Sequence, residues 1–169
     1  MNRISVFSHN DFDEKMYRLG IDSNNVNKEL DKAFISIICT PECQKYYLEE
    51  NELHWFKNNT HNVLNLEFDD INDDSIEWKG HTFYGITEEQ SKQLVEFIEK
   101  NKGKNFYIHC KAGKSRSQGI CRYILDIYGK KYGYDEKLSC RKNNPCLTPN
   151  IRVVTMLKRE YYKMIDYIK

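Results

Sequence analysis

The run Ala33-Phe34-Ile35-Ser36-Ile37-Ile38-Cys39-Thr40, closed by Pro41, sets the tightest limit on the fold. It is apolar and β-branched almost throughout, so as a strand it needs cover on both faces, as strands of a parallel sheet do. Pro41 to Asn51 reads as a helix, with the proline at an early position where its missing N–H does no harm. Strand and helix signals go on alternating. Ile4 to Ser8 is a short strand candidate, and Asn62 to Phe68 alternates apolar and polar residues as a strand does. Thr87 to Asn101 is a helix, with Thr87 and Gln90 forming a capping box, Leu94, Phe97 and Ile98 on one apolar face, and Gly103 just past its end. Asn105 to His109 is a short buried strand. Ser115 to Tyr128 is a mostly apolar helix followed by Gly129. Ile151 to Ile168 is a last amphipathic helix behind Asn150 as N-cap, its apolar face predicted as Ile151, Val154, Leu157, Tyr161, Ile165 and Ile168. The alternation predicts one α/β domain over residues 1–169, a central, mainly parallel twisted sheet of about four to five strands flanked by helices. In such sheets ligands bind at the carboxyl ends of the strands.

Composition narrows the function classes. The chain has 169 residues, 26 of them basic and 25 acidic, for a net charge of +1. That balance argues against a nucleic-acid partner, whose footprint is usually a strongly basic domain. No segment approaches the roughly 18 apolar residues that span a bilayer, and the N-terminus carries no apolar leader core. The expectation is a cytoplasmic protein without stable membrane insertion. The six cysteines, Cys39, Cys43, Cys110, Cys121, Cys140 and Cys146, include no C-x-x-C pair and no finger-like histidine spacing, so no metal site is predicted.

The chemistry concentrates in His109-Cys110-Lys111-Ala112-Gly113-Lys114-Ser115-Arg116-Ser117, where a predicted strand turns into a predicted helix. A short loop curling into a helix N-terminus points successive backbone N–H groups at an anion, and the helix dipole adds to them. Gly113 permits the backbone angles of a tight cradle. Lys111, Ala112, Gly113, Lys114, Ser115 and Arg116 are therefore the candidate substrate-binding loop. Arg116 can fork two N–H groups onto two phosphate oxygens, which a lysine cannot do. The same positive field favours a thiolate at Cys110, set to attack a bound phosphate. Ser117 can hydrogen-bond that sulfur and ease its later departure. His109 reads as structural, tying the loop through backbone hydrogen bonds. A cysteine of this kind is by itself more often a core residue; the fixed order of His, Cys, Gly, Arg and Ser at a strand-to-helix junction argues for function.

This stretch resembles the active-site loop of the cysteine-dependent protein tyrosine phosphatase superfamily, in which His-Cys is followed by five residues, an arginine and a serine or threonine. The similarity of layout extends over about residues 30–169 and is nearest the small dual-specificity phosphatases, because the Trp-Pro-Asp acid loop of the larger tyrosine phosphatases is missing. The resemblance implies a phosphocysteine intermediate and neither metal nor other cofactor. It maps Cys110, Arg116 and Ser117 onto the nucleophile, the phosphate-clamping arginine and the hydroxyl that assists the sulfur. It also implies a general acid on a separate loop, sought in Glu67-Phe68-Asp69-Asp70-Ile71-Asn72-Asp73-Asp74. Asp70 is the first choice, Asp69 the second, and Asp73 and Asp74 belong to a solvated acidic loop.

The substrate this implies is a phosphorylated protein or peptide. Lys111 and Lys114 also occur paired in the loops of phosphoinositide phosphatases, so a lipid substrate is an alternative; outward-pointing lysines that only add positive potential are the simpler account. A catalytically inactive phosphate-binding module is a third. Cys39 ends a strand that in the resembling folds neighbours the nucleophile's, so it could form a protective disulfide with Cys110 or simply pack in the core. The polar stretch Tyr132 to Pro149 reads as a lid or recognition loop.

Overall fold

The computed structural model describes residues 2–47, 52–134 and 148–167. Four strands form one parallel sheet: β1 (Ile4–Phe7), β2 (Lys32–Ile38), β3 (Val63–Glu67) and, fourth in this sheet though later in the chain, β6 (Asn105–His109), in spatial order β1-β6-β2-β3. The α/β class and the parallel sheet are as the sequence predicts, and the two innermost strands, β6 and β2, lead to Cys110 and Cys39. A separate antiparallel pair, β4 (Ser75–Trp78) and β5 (His81–Tyr84), is joined by Lys79 and Gly80. Both turn residues have positive φ, 49° and 78°, as a tight hairpin with right-handed twist requires.

Side-chain alternation divides the core between the two faces of the sheet. Ala33, Ile35, Ile37, Phe106 and Ile108 pack with α3 (Glu88–Asn101), α4 (Arg116–Tyr132) and α5 (Ile151–Asp166). Phe34, Phe7, Tyr107 and Val63 lie with Phe12, Met16 and Phe56 on the other face, covered by α1 (His9–Leu19) and the segment before β3. A third, smaller cluster joins α2 (Pro41–Tyr46) to β5 through Cys39, Cys43 and Phe83. Among the described residues no helix is long and apolar enough to cross a membrane.

Several boundaries differ from the sequence reading for local reasons. Helix α4 does not stop at Gly129, which is buried inside it; it runs on to Gly133, whose φ of 66° supplies the left-handed cap. Helix α5 is turned by about one residue from its predicted face: Val153, Met156 and Leu157 are buried, while Ile151 is 68% exposed. The close approach of Gly119, where a Cβ would lie 3.0 Å from Val153 Cβ, sets that orientation. Helix α2 ends at Tyr46 rather than Asn51, and residues 48–51 lie outside the described set, as do 135–147 within the suggested lid and the predicted helix end at Ile168. The sequence reading passes over α1, although Ser8 caps it through Asp11 N–H and Gly20 ends it with φ 65°.

Candidate active site

Strand β6 delivers His109 and Cys110 to the carboxyl edge of the sheet, and α4 begins six residues beyond the cysteine at Arg116. Between them Gly113 sits at φ 67°, and a Cβ there would lie 2.6 Å from the carbonyl carbon and oxygen of Phe7. Glycine is thus required twice, by conformation and by the close approach of the β1–α1 junction. The same junction holds the loop through His9 N–H, which donates to Lys111 O at 3.0 Å.

Cys110 is 2% exposed, and its Sγ lies 3.0 Å from Ser117 Oγ. Arg116 is also buried. Its Nη1 donates to Phe68 O at 2.6 Å and to Ile38 O at 3.4 Å, and Nη2 donates to Cys39 Sγ at 3.4 Å. These acceptors fix the guanidinium at the ends of β2 and β3, while its buried Nε has no hydrogen-bond partner. Burial opposes the charge, but Cys39, Cys110 and Asp70 hold the Arg116 pKa above its ordinary value. A pocket of about 290 Å³ opens here, lined by Cys110, Lys111, Ala112, Lys114, Ser115 and Arg116 from the loop and by Cys39, Cys43, Asp69, Asp70 and the apolar groups of Tyr47, Ile71 and Phe83. Ser117 lies behind it, against the sulfur.

The start of α4 is unlike the other α-helix starts. Ser8, Thr40, Thr87 and Asn150 each cap their helix with a side-chain oxygen. Ser115, in the same position for α4, makes no cap; its hydroxyl donates instead to Asp70 Oδ1 at 2.7 Å. The first N–H groups of α4 are left without that intramolecular acceptor, next to the pocket.

The neighbouring aspartates have opposite environments. Asp69 is 1% exposed and accepts from Thr40 N–H and Oγ1–H and from Tyr84 N–H, at 2.9, 2.7 and 2.8 Å. It fastens α2 and the β4–β5 hairpin to the end of β3. Asp70 is exposed, and its Oδ1 accepts from Ser115 Oγ and from Asn150 Nδ2 at 2.8 Å. Asp73 and Asp74 are exposed, and Asp74 pairs with Arg152.

His109 has a side-chain tie that the expectation lacks, beside a backbone contact at Cys110. Its Nε2 is 2.7 Å from Ser36 Oγ, which is 2.6 Å from His54 Nδ1, so a side-chain chain runs beneath the loop. Ser36 stands directly opposite His109 in the β2–β6 register. Burial, with His9 adding to it, lowers the His54 pKa to about 4, and burial holds His109 well below the ordinary histidine value. Cys39, one residue past β2, is pulled down to about 7 chiefly by the hydrogen bond from Cys43, whose own thiol is pushed far up by the same bond. Cys39 and Cys110 are both free thiols. Lys111 Nζ is 3.5 Å from Glu52 Oε1, so this loop cation is partly answered within the chain.

Sequence reasoning passes over Ser36, His54, Cys43 and the Asn150 contact to Asp70. Asn150 is readable as an N-cap, and its Oδ1 does accept from Val153 N–H at 2.9 Å. Its second bond depends on how α5 meets the segment after β3, which local sequence does not encode. No protein-family model matches this chain, and no curated protein matches it at a significant level.

Proposed function

We propose that this protein is a cysteine-dependent phosphomonoester hydrolase of the tyrosine or dual-specificity phosphatase type, acting through a phosphocysteine. The observation that carries the reading is the meeting of Cys110, Arg116 and Asp70 on one pocket, at the uncapped start of α4. The Cys110 thiolate attacks phosphorus while the bond from phosphorus to the ester oxygen breaks. Asp70 gives that oxygen its proton. The ionised Asp70 then takes a proton from water, the water oxygen attacks phosphorus, and the phosphorus–sulfur bond breaks to return thiolate and inorganic phosphate. Ser117 Oγ stabilises the sulfur as it leaves. Arg116, with Nε unpaired and Nη2 on a weak sulfur acceptor, has donors to turn onto two phosphate oxygens. Tyr47, Ile71 and Phe83 give the pocket an apolar wall, which suits an aryl phosphate such as phosphotyrosine.

Lys111 and Lys114, from the loop that lines the same pocket, keep a phosphoinositide substrate as a second reading, although the Lys111–Glu52 pair weakens it. The test is a metal-free assay with p-nitrophenyl phosphate, phosphopeptides and phosphoinositides. The expected result is hydrolysis that resists EDTA, is blocked by vanadate and is lost in Cys110→Ser. Turnover undiminished by Cys110→Ser overturns the mechanism, and absence of turnover on every substrate leaves a phosphate-binding module.

A further inference from the structure

Two of the thiols on the pocket wall have no part in the proposed turnover. Cys39 lies just past β2, Cys43 in the first turn of α2, and Asp69 just past β3. Each is buried, and one donor atom from each, two sulfurs and a carboxylate oxygen, lie within 4.8 Å of one another. We propose that Cys39, Cys43 and Asp69 form a binding site for a zinc-like divalent cation, with the remaining coordination left to a small ligand from the pocket.

The donor set selects the ion. Two sulfurs suit a borderline-soft cation and exclude magnesium and calcium, which take oxygen ligands. Zinc holds thiolate at about 2.3 Å and carboxylate oxygen at about 2.0–2.2 Å, so a tetrahedral site spaces its donors by roughly 3.3–3.8 Å. Atoms already within 4.8 Å reach that spacing by small side-chain rotations. Asp69 retains capacity for it: Oδ2 accepts from Thr40 Oγ1–H and Tyr84 N–H and Oδ1 from Thr40 N–H, and its further bond to the Cys43 thiol is given up when that thiol loses its proton to bind the ion. Those three bonds also hold the carboxylate in place, as outer partners do in metal sites.

Charge balance points the same way. Two thiolates and a carboxylate carry three negative charges and a divalent ion cancels two. The remaining one faces the Arg116 guanidinium, whose Nη2 is 3.4 Å from Cys39 Sγ. A buried cluster is therefore left near neutrality, the condition for holding charge away from water. Because Arg116 donates to a sulfur that the ion would take, ion binding and anion binding in the pocket are coupled. The sequence hides this site, since its ligands are a C-x-x-x-C pair and an aspartate from another strand.

The site does not depend on the phosphatase reading, and its test measures no turnover. The full chain carrying Cys110→Ser, Cys140→Ser and Cys146→Ser is titrated with cadmium, following the ultraviolet sulfur-to-cadmium charge-transfer band, and with zinc against a chromophoric chelator. One equivalent is expected to bind. Adding Cys43→Ser should roughly halve the band and weaken zinc binding at least tenfold, and Cys39→Ser should do the same. A band that neither substitution changes, or no binding at one equivalent, overturns the proposal. Cadmium NMR of the chain that retains Cys39 and Cys43 reads the number of sulfur ligands directly, so the result holds even if a substituted chain fails to fold. A shift outside the range of two-sulfur sites also overturns it.

Discussion

Adjacent aspartates occupy two environments that the sequence alone separates only by position, and the proposed reading gives the acid role to Asp70. Asp70 accepts from Ser115 and Asn150 at the pocket, whereas Asp69 is enclosed by Thr40 and Tyr84. Asp70→Asn is expected to lower kcat by about 10²–10⁴-fold, less for substrates whose leaving oxygen needs no proton, with little change in unfolding midpoint. Asp69→Asn turns an amide toward the Tyr84 N–H and the Thr40 hydroxyl inside the fold, and should cost roughly 2–4 kcal/mol in urea unfolding. Should the two variants exchange these effects, the acid role moves to Asp69. The order Cys110, Gly113, Arg116, Ser117 is legible because these candidate residues lie within one loop and the first turn after it. The chain from His109 through Ser36 to His54 is not, because strand register makes it.

The elements carry the site as much as its residues do, and their ends explain most of what was and was not legible. The capping box at Thr87 is local and is readable. The true end of α4 is not, because a glycine at 129 and another at 133 offer the same signal and only burial chooses between them. The twisted face of α5 follows from Gly119, where a Cβ would lie 3.0 Å from both Asn150 O and Val153 Cβ. Gly119→Ala should push α5 from α4, costing about 1–3 kcal/mol by overpacking. Because Asn150 holds Asp70, kcat should also fall, most for substrates that depend on the acid. A loss of stability with kcat unchanged would show that α5 does not position Asp70 for the proposed acid role. Gly113→Ala should be more severe, since the new methyl meets Phe7 backbone at an unfavourable φ; the expected result is loss of vanadate binding together with destabilisation of about 2 kcal/mol or more.

At the scale of the molecule, the two faces of the sheet differ in what they bury. The face under α3, α4 and α5 is apolar, whereas the face under α1 holds His109, Ser36 and the rings of Phe12 and His9, with His54 alongside. Burial keeps His54 and His109 neutral in the folded state, the first with a pKa of about 4 against an ordinary 6.5. Between those values the unfolded chain binds the proton and the folded chain does not. The stability contributed is therefore complete above pH 6.5 and is lost as pH falls toward 4. Asp13 acts in the opposite sense, since burial raises its pKa despite His9, whose Nε2 lies 3.5 Å away; its window runs upward from its ordinary 3.8. The net expectation is a urea midpoint that falls from pH 7.5 to pH 5, and a smaller fall in His54→Asn, which keeps a polar group facing Ser36 but removes the proton site. A midpoint flat across that range, or one that falls equally in His54→Asn, would show that this histidine–serine–histidine network does not set the acid sensitivity of the fold. The network ends one residue before Cys110, so loss of native structure on acidification should begin at the pocket, and vanadate binding should fail at higher pH than the global transition.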